Sequence, residues 1–185
     1  MRAECLQRRR SMSAERAIGL SRAIAARALD LEEVAAAAAV HTYVDSLPNE
    51  VATRGIIAAL LGLGKRIVVP VVGKPGQPLL HAGIGGLDEL RRGPLGILQP
   101  SAGSALPPVD AVLVPAVACD REGNRLGMGG GHYDRMLRAL RVPAVALVYE
   151  EFVVGAVPAE AHDTPVDIVL TERNIYLTRP KGVKP

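Results

Sequence analysis

One stretch near the middle of the chain constrains the fold more than any other. It runs Asp110-Ala111-Val112-Leu113-Val114-Pro115, through Val117-Ala118-Cys119-Asp120, to Arg125-Leu126-Gly127-Met128-Gly129-Gly130-Gly131-His132-Tyr133-Asp134-Arg135. It reads as a buried strand, a flexible elbow, and an arginine followed by glycines that deliver the start of a helix. Glycine permits positive φ and close approach of backbone N–H groups, and a helix N-terminus adds orphan donors and about half a positive charge. That is the layout of a phosphate site. A mere turn does not need four glycines in the five positions from Gly127 to Gly131. The two commonest nucleotide fingerprints are excluded: Gly127-x-Gly129-x-x-His132 lacks the third glycine of the dinucleotide motif, and no G-x-x-x-x-G-K-[ST] string occurs.

The rest of the chain places that segment in an α/β fold. Ser13 is an N-cap with Glu15 in the first turn, and Ile18, Ala25 and Leu29 recur at helical spacing, which predicts a helix over 13–29 and a short one over 31–37. Val40 to Val44 and Ile67 to Val71 are β-branched runs flanking a helix started by Thr53 and carrying Ile56, Ile57, Leu60 and Leu61, a βαβ unit. Between Val72 and Pro108 the runs are broken at Pro75, Pro78, Pro94, Pro100 and Pro107-Pro108; loops, a strand at Leu79 to Ala82 and a small helix at Leu87 to Arg92 are expected there. A second βαβ follows: strand Ala111 to Val114, the glycine loop, helix His132 to Leu140, strand Ala144 to Tyr149; a last strand spans Asp167 to Thr171. Alternating strands and helices predict a three-layer sandwich with a mostly parallel central sheet covered by helices on both faces, its ligands at the strands' carboxyl ends.

Composition narrows the function classes. With 185 residues, 49% of them hydrophobic, the chain is expected to be one domain, 1–185, with a sizeable core. A net charge of +3 suits small anionic ligands and is too weak to require nucleic acid. Arg8, Arg9 and Arg10 read as a solvated helix face. Cys5 and Cys119 form no C-x-x-C pair, and His41, His81 and His162 lack metal-ligand spacing. No apolar run approaches the ~18 residues of a membrane helix, and Met1 to Arg10 is charged with no apolar segment behind it. A reduced, cytoplasmic protein with neither nucleic-acid nor membrane partners is the expectation.

The string R-L-G-M-G-G-G-H-Y-D-R behind V-P-A-V-A-C-D resembles the 5-formyltetrahydrofolate cyclo-ligases, or methenyltetrahydrofolate synthetases, whose hallmark looks like R-L-G-x-G-x-G-[YF]-Y-D. Weaker likenesses follow in the family's order: Arg8-Arg9-Arg10-Ser11-Met12-Ser13, Tyr43 to Glu50-Val51, Gly64-Lys65-Arg66-Ile67-Val68-Val69-Pro70, Gly96 to Pro100, and His162 to Asp167. The resemblance implies ATP- and Mg²⁺-dependent conversion of 5-formyltetrahydrofolate to 5,10-methenyltetrahydrofolate, with ADP and phosphate released.

It also implies roles. ATP would sit on Arg125, Gly127, Met128, Gly129, Gly130, Gly131, His132 and Tyr133, with Arg125 and Tyr133 at the chemistry. The reduced folate would meet Glu50, His132 and Tyr133, the pterin stacked on the tyrosine ring, and Asp134 and Asp167 would hold Mg²⁺. Two features depart from the family's pattern. His132 replaces a Tyr or Phe, which leaves its role open, and the family's phosphate-contacting lysine falls upstream of Met1 when the triple arginine is aligned. Either the start lies earlier, or Arg2 or a neighbour substitutes, or phosphate binding is weakened. The alternative to a cyclo-ligase is a diverged member that binds a nucleotide or phosphorylated ligand without cyclisation.

Overall fold

The computed structural model describes residues 1–73 and 79–178, so the predicted breaks at Pro75 and Pro78 and the segment 179–185 lie outside it. Two helices open the chain, α1 (Arg2–Ser11) and α2 (Ala14–Asp30), of which only the second was given bounds from the sequence. Ser13 caps α2 as expected, its hydroxyl accepting from Arg16 N–H at 3.2 Å. The buried stripe of α2 is Ala17, Ser21, Ile24 and Ala28. Ile18, read from the sequence as part of the apolar period, is 52% exposed, one position off the face that packs. A single turn, α3 (Glu32–Ala35), leads into strand β1 (Ala39–His41). This strand is shorter than the predicted Val40 to Val44 because the chain leaves the ladder at Thr42 to form a buried loop.

Helix α4 (Arg54–Gly62) and strand β2 (Arg66–Val71) complete the first βαβ unit. Thr53 precedes α4 but does not cap it with its side chain. The cap comes from across the loop: Asp45 Oδ1 accepts from the N–H groups of Thr53 and Arg54 at 2.9 and 3.0 Å, and Oδ2 takes the Arg54 guanidinium. Strand β3 (Leu80–Ile84) runs back antiparallel along β2. The predicted helix at Leu87 to Arg92 is a 3-10 turn, Leu87–Glu89, followed by β4 (Arg91–Arg92), which pairs with β5 (Leu98–Gln99).

The second βαβ unit consists of β6 (Ala111–Pro115), α5 (His132–Ala139) and β9 (Ala144–Leu147), with a two-stranded ribbon, β7 (Ala118–Cys119) and β8 (Arg125–Leu126), inserted after β6. Strands β10 (Ile168–Leu170) and β11 (Ile175–Leu177) end the fold. The main sheet has seven strands in the order β11-β10-β9-β6-β1-β2-β3; the five central ones are parallel and both edges antiparallel. Ala111 to Val114, Ala144 to Leu147 and Ile168 to Leu170 are buried without alternation, as strands covered on both faces must be. β1 to β2 and β6 to β9 leave the centre of the sheet in opposite directions. Right-handed crossovers therefore put α4 and α5 on opposite faces, giving the α/β sandwich expected. No described helix is long and apolar enough to cross a membrane.

Among the described residues the core contains a pair of histidines in contact. His41, fully buried at the end of β1, meets His81 through Nε2 and Nδ1 at 3.1 Å. Burial, reinforced by His81, pulls the His41 pKa down to about 3. The unfolded chain then takes up a proton near 6.5 that the native state refuses until about 3. Stability contributed by this group is complete above the unfolded pKa and is lost as pH falls through that window, by up to about 1.4 kcal/mol per pH unit for one proton. Urea unfolding across the window should show this decline, and His41→Leu should flatten it to the residue left by His81. An unchanged slope in the variant would mean that His41 titrates normally.

Candidate functional site

A cleft of about 440 Å³ opens at the carboxyl ends of the parallel strands, within the range of small-molecule sites. It lies where β1 and β6, adjacent and parallel, send their crossovers apart. Its walls come from the loop after β1, the elbow and glycine loop after β6, the segment before β10, and α1.

The elbow explains how Arg125 is delivered. Asp120 is buried and gathers the turn: its Oδ1 accepts from Glu122 and Asn124 N–H, and its Oδ2 from the Asn124 amide and Val157 N–H. The β7–β8 ribbon then runs Arg125 back toward the sheet. Its side chain is only 4% exposed and donates from Nη2 to Asp134 Oδ1 at 2.8 Å. The guanidinium lies 5.7 Å from the centre of the Tyr133 ring, and its Nε has no partner. The two-residue interval to Gly127 has a steric reason: a Cβ there would lie 3.2 Å from Arg125 Nη1.

Beyond it, Gly129 and Gly131 adopt φ of 95° and 60°, a region that favours glycine. Gly131 is the N-cap of α5. The loop thus presents backbone N–H groups and a helix N-terminus to the cleft, with Arg2 behind it: Arg2 Nε donates to the Gly127 carbonyl at 2.8 Å. Met128 is 56% exposed, so it stands at the rim and does not pack. His132 contacts Arg135 Nη2 through Nδ1 at 3.0 Å, and burial together with the Arg135 charge lowers its pKa.

At the other end of the cleft, Glu50 Oε2 accepts from the N–H groups of Ser46 and Leu47 at 3.1 and 3.3 Å. Burial raises its pKa above the usual carboxylate value, against the opposing pull of those N–H groups and of Arg9. The interval from Tyr43 to Glu50-Val51 is closed by a hydrogen bond from Tyr43 Oη to the Val51 carbonyl at 2.9 Å. Tyr133 lines the cleft beneath the loop with its ring edge-on to His41, 6.1 Å between centres, and its hydroxyl has no partner. Burial raises the pKa of that hydroxyl well above the ordinary phenol value.

The structure therefore brings Glu50, Arg125, the glycines, His132, Tyr133 and Asp134 around one cleft. It does not bring Asp167. That carboxylate caps the opposite edge of the sheet, its Oδ2 accepting from Ala144 N–H at the start of β9 at 2.8 Å, and it is absent from the cleft wall. The expected pairing of Asp134 with Asp167 around Mg²⁺ is corrected accordingly: a residue just before β10 lies at the amino ends of the parallel strands. The neighbour of Asp134 is Thr164, whose N–H donates to Asp134 Oδ1 at 3.3 Å and whose hydroxyl donates to the Asp134 carbonyl at 3.2 Å. Among the described residues no cluster of three metal-ligating side chains occurs.

Helix α1 supplies Arg2, named from the sequence as a possible substitute for the family's lysine, and Arg9, which the sequence reading missed as a site residue. Arg2, Cys5 and Arg9 fall on one face at i, i+3 and i+7. Both arginines line the cleft and Arg9 is 4% exposed, a correction to the solvated face expected of the triple arginine. The spacing carried the signal, but a stripe of arginines does not register as an apolar period.

Residues 1–172 match the profile of the 5-formyltetrahydrofolate cyclo-ligase family. A protein of Mycolicibacterium smegmatis named 5-formyltetrahydrofolate cyclo-ligase is 31% identical, the alignment covering 94% of this chain and 92% of the relative. One of the same name from Escherichia coli is 30% identical over 92% of this chain and 97% of its own length. The solution structure of Aquifex aeolicus 5,10-methenyltetrahydrofolate synthetase superposes with a TM-score of 0.84 at 30% identity, covering all of this chain (100%) and 94% of that one.

The buried Arg125–Asp134 pair has a consequence independent of any ligand. Removing one partner of such a pair strands the other charge, at a cost of about 3 kcal/mol. Arg125→Met should lower the unfolding free energy of the ligand-free protein by that order in chemical denaturation, and Arg125→Met with Asp134→Leu should recover most of it. A single variant as stable as the wild type would show that the pair carries no structural load.

Proposed function

The chain belongs to the 5-formyltetrahydrofolate cyclo-ligase family, and on that premise we propose that it converts 5-formyltetrahydrofolate and ATP to 5,10-methenyltetrahydrofolate, ADP and phosphate, as one domain over residues 1–185. The observation that carries this reading is the cleft itself, lined by a glycine loop, by arginines and by a half-buried carboxylate, Glu50.

In this scheme the phosphates of ATP rest on the N–H groups of Gly129 to Gly131 and the N-terminus of α5. Arg125 and Arg2 neutralise their charge, and Arg2 fills the place of the lysine that the family carries earlier in the chain. The formyl oxygen of the folate attacks the γ-phosphoryl group. N10 then closes the ring, and the former formyl oxygen departs in phosphate. Positioning and charge neutralisation are the main demands of such a transfer. Glu50 accepts hydrogen bonds from N–H groups of the pterin, and the ring lies toward Tyr133 and His132.

Mg²⁺ fits this donor set through the Asp134 carboxylate. Asp134 spends Oδ1 on Arg125 and Thr164, and its Oδ2 makes no hydrogen bond to a described residue. One free carboxylate oxygen beside a phosphate loop suits an ion that is held largely by phosphate oxygens and water. Bound there, it would neutralise charge on the transferring phosphoryl group.

Purified protein mixed with 5-formyltetrahydrofolate and MgATP should develop the absorbance band of the methenyl product. Asp134→Asn should reduce kcat by on the order of 10², the usual cost of losing one charge-stabilising element. A wild-type protein whose melting temperature rises with MgATP but which forms no product would instead be a nucleotide binder that has lost the cyclisation.

A further inference from the structure

Arg9 is a buried cation whose charge is felt by Glu50 but closed by no ion pair. It is 4% exposed, lines the cleft, and has an Nε without a partner. Its guanidinium makes no ion pair or hydrogen bond with a described residue. Its neighbours in the triple arginine are differently placed: Arg8 lies over the Phe152 ring and reaches Glu151, and Arg10 is exposed. Burying an unpaired guanidinium is costly, and native proteins keep such groups where a ligand supplies the missing partner.

The backbone of Arg9 is fixed to the residue beside Glu50. Asn49, at φ 51°, donates from Nδ2 to the carbonyls of Arg9 and Met12 at 2.9 and 2.8 Å. That left-handed turn sets Arg9 and Glu50 in a defined relation on one wall of the cleft. The two side chains do not close on each other as an ion pair, and Glu50 Oε2 is spent on Ser46 and Leu47. A donor-only fork and a carboxylate thus both line the cleft.

We propose that Arg9 reads the ring carbonyl of the substrate's 2-amino-4-oxopyrimidine, next to the N–H donors taken by Glu50. This deepens the folate reading above and rests on it. The pyrimidinone edge presents N–H donors beside a carbonyl acceptor, and Glu50 with Arg9 is the complementary acceptor and donor. A nucleotide phosphate has no donor to offer Glu50, and the glycine loop lies elsewhere in the cleft. Arg9 is therefore a specificity-determining residue for the pterin.

The test is a titration of 5-formyltetrahydrofolate and of its 4-amino counterpart, in which the acceptor oxygen becomes a donor amine, with MgATP titrated in parallel. Wild-type protein should prefer the 4-oxo compound by about 10-fold or more, since a charged hydrogen bond is exchanged for two opposed donors. Arg9→Met should weaken 4-oxo binding by a similar factor, narrow the preference to the part set at Glu50 by the N3 hydrogen that the 4-amino ring lacks, and leave MgATP affinity unchanged. Because the guanidinium makes no ion pair or hydrogen bond with a described residue, its removal should leave the melting temperature close to the wild-type value. Arg9→Lys, which keeps the charge but not the fork, should retain part of the preference and supplies the comparison should the methionine variant fold poorly. An undiminished preference in both variants, an equal loss for both pterins, or a loss confined to MgATP would overturn the role of Arg9 while leaving the folate reading intact. Wild-type protein that binds neither pterin would overturn that reading and this inference together.

Discussion

The parallel pairing of β1 with β6 is the constraint on which the rest of the molecule depends. The register of Val40 with Ala111 and His41 with Val112 sets two strands side by side whose crossovers must then diverge. Their connecting loops part at the carboxyl edge and cannot fill the space between them. One loop ends in Glu50 and is held by the Asp45 cap on α4. The other ends in Arg125 and the glycines and is gathered by Asp120. The buried strands beneath have no freedom to change this spacing, because each is packed on both faces.

Polar groups in protein interiors are normally satisfied. Among the described residues six buried side-chain atoms are not, and three of them, Arg9 Nε, Arg125 Nε and Tyr133 Oη, belong to residues on the cleft wall. The burial that makes them costly is supplied by the same elements that shape the crevice. The neutral His41 below Tyr133 adds no further charge to the floor. Stability is therefore given up where donors must stand ready for an incoming ligand, as expected of a preorganised site. The Arg125–Asp134 contact moderates this by pairing the most buried cation of the loop with a carboxylate at the start of α5.

Much of this was legible in the chain. The β-branched runs named all five parallel strands, because strands covered on both faces read as continuous apolar segments. The glycine string named the loop, and its positive φ values at Gly129 and Gly131 explain why those residues are needed. What escaped depends on contacts that no local pattern encodes. The β7–β8 ribbon has strands too short to show a period. Thr53 looked like the cap of α4, yet Asp45, eight positions earlier, does that work. Asp167 stands in a suggestive string, but whether a residue meets the amino or the carboxyl end of a sheet is decided by strand direction. The role of α1 was hidden because its buried stripe, Cys5 and Arg9, shows no apolar period.

That stripe gives α1 a role beyond covering the core. Arg2 and Arg9 are seven residues apart, two turns or about 10.5 Å of helix, so both face the cleft but at different ends. One holds the carbonyl of Gly127 in the phosphate loop. The other is tied through Asn49 to the loop that carries Glu50. Salt bridges from Arg8 and Arg16 to Glu151 fasten the region around the α1–α2 junction to the turn after β9. The two loops that the β1–β6 divergence separates are thus rejoined by one rigid element. A one-residue slip in α1 would rotate each arginine by about 100° and break both attachments together. The geometry of the phosphate end and of the Glu50 end is consequently set by a single helix, and neither can be repositioned without the other.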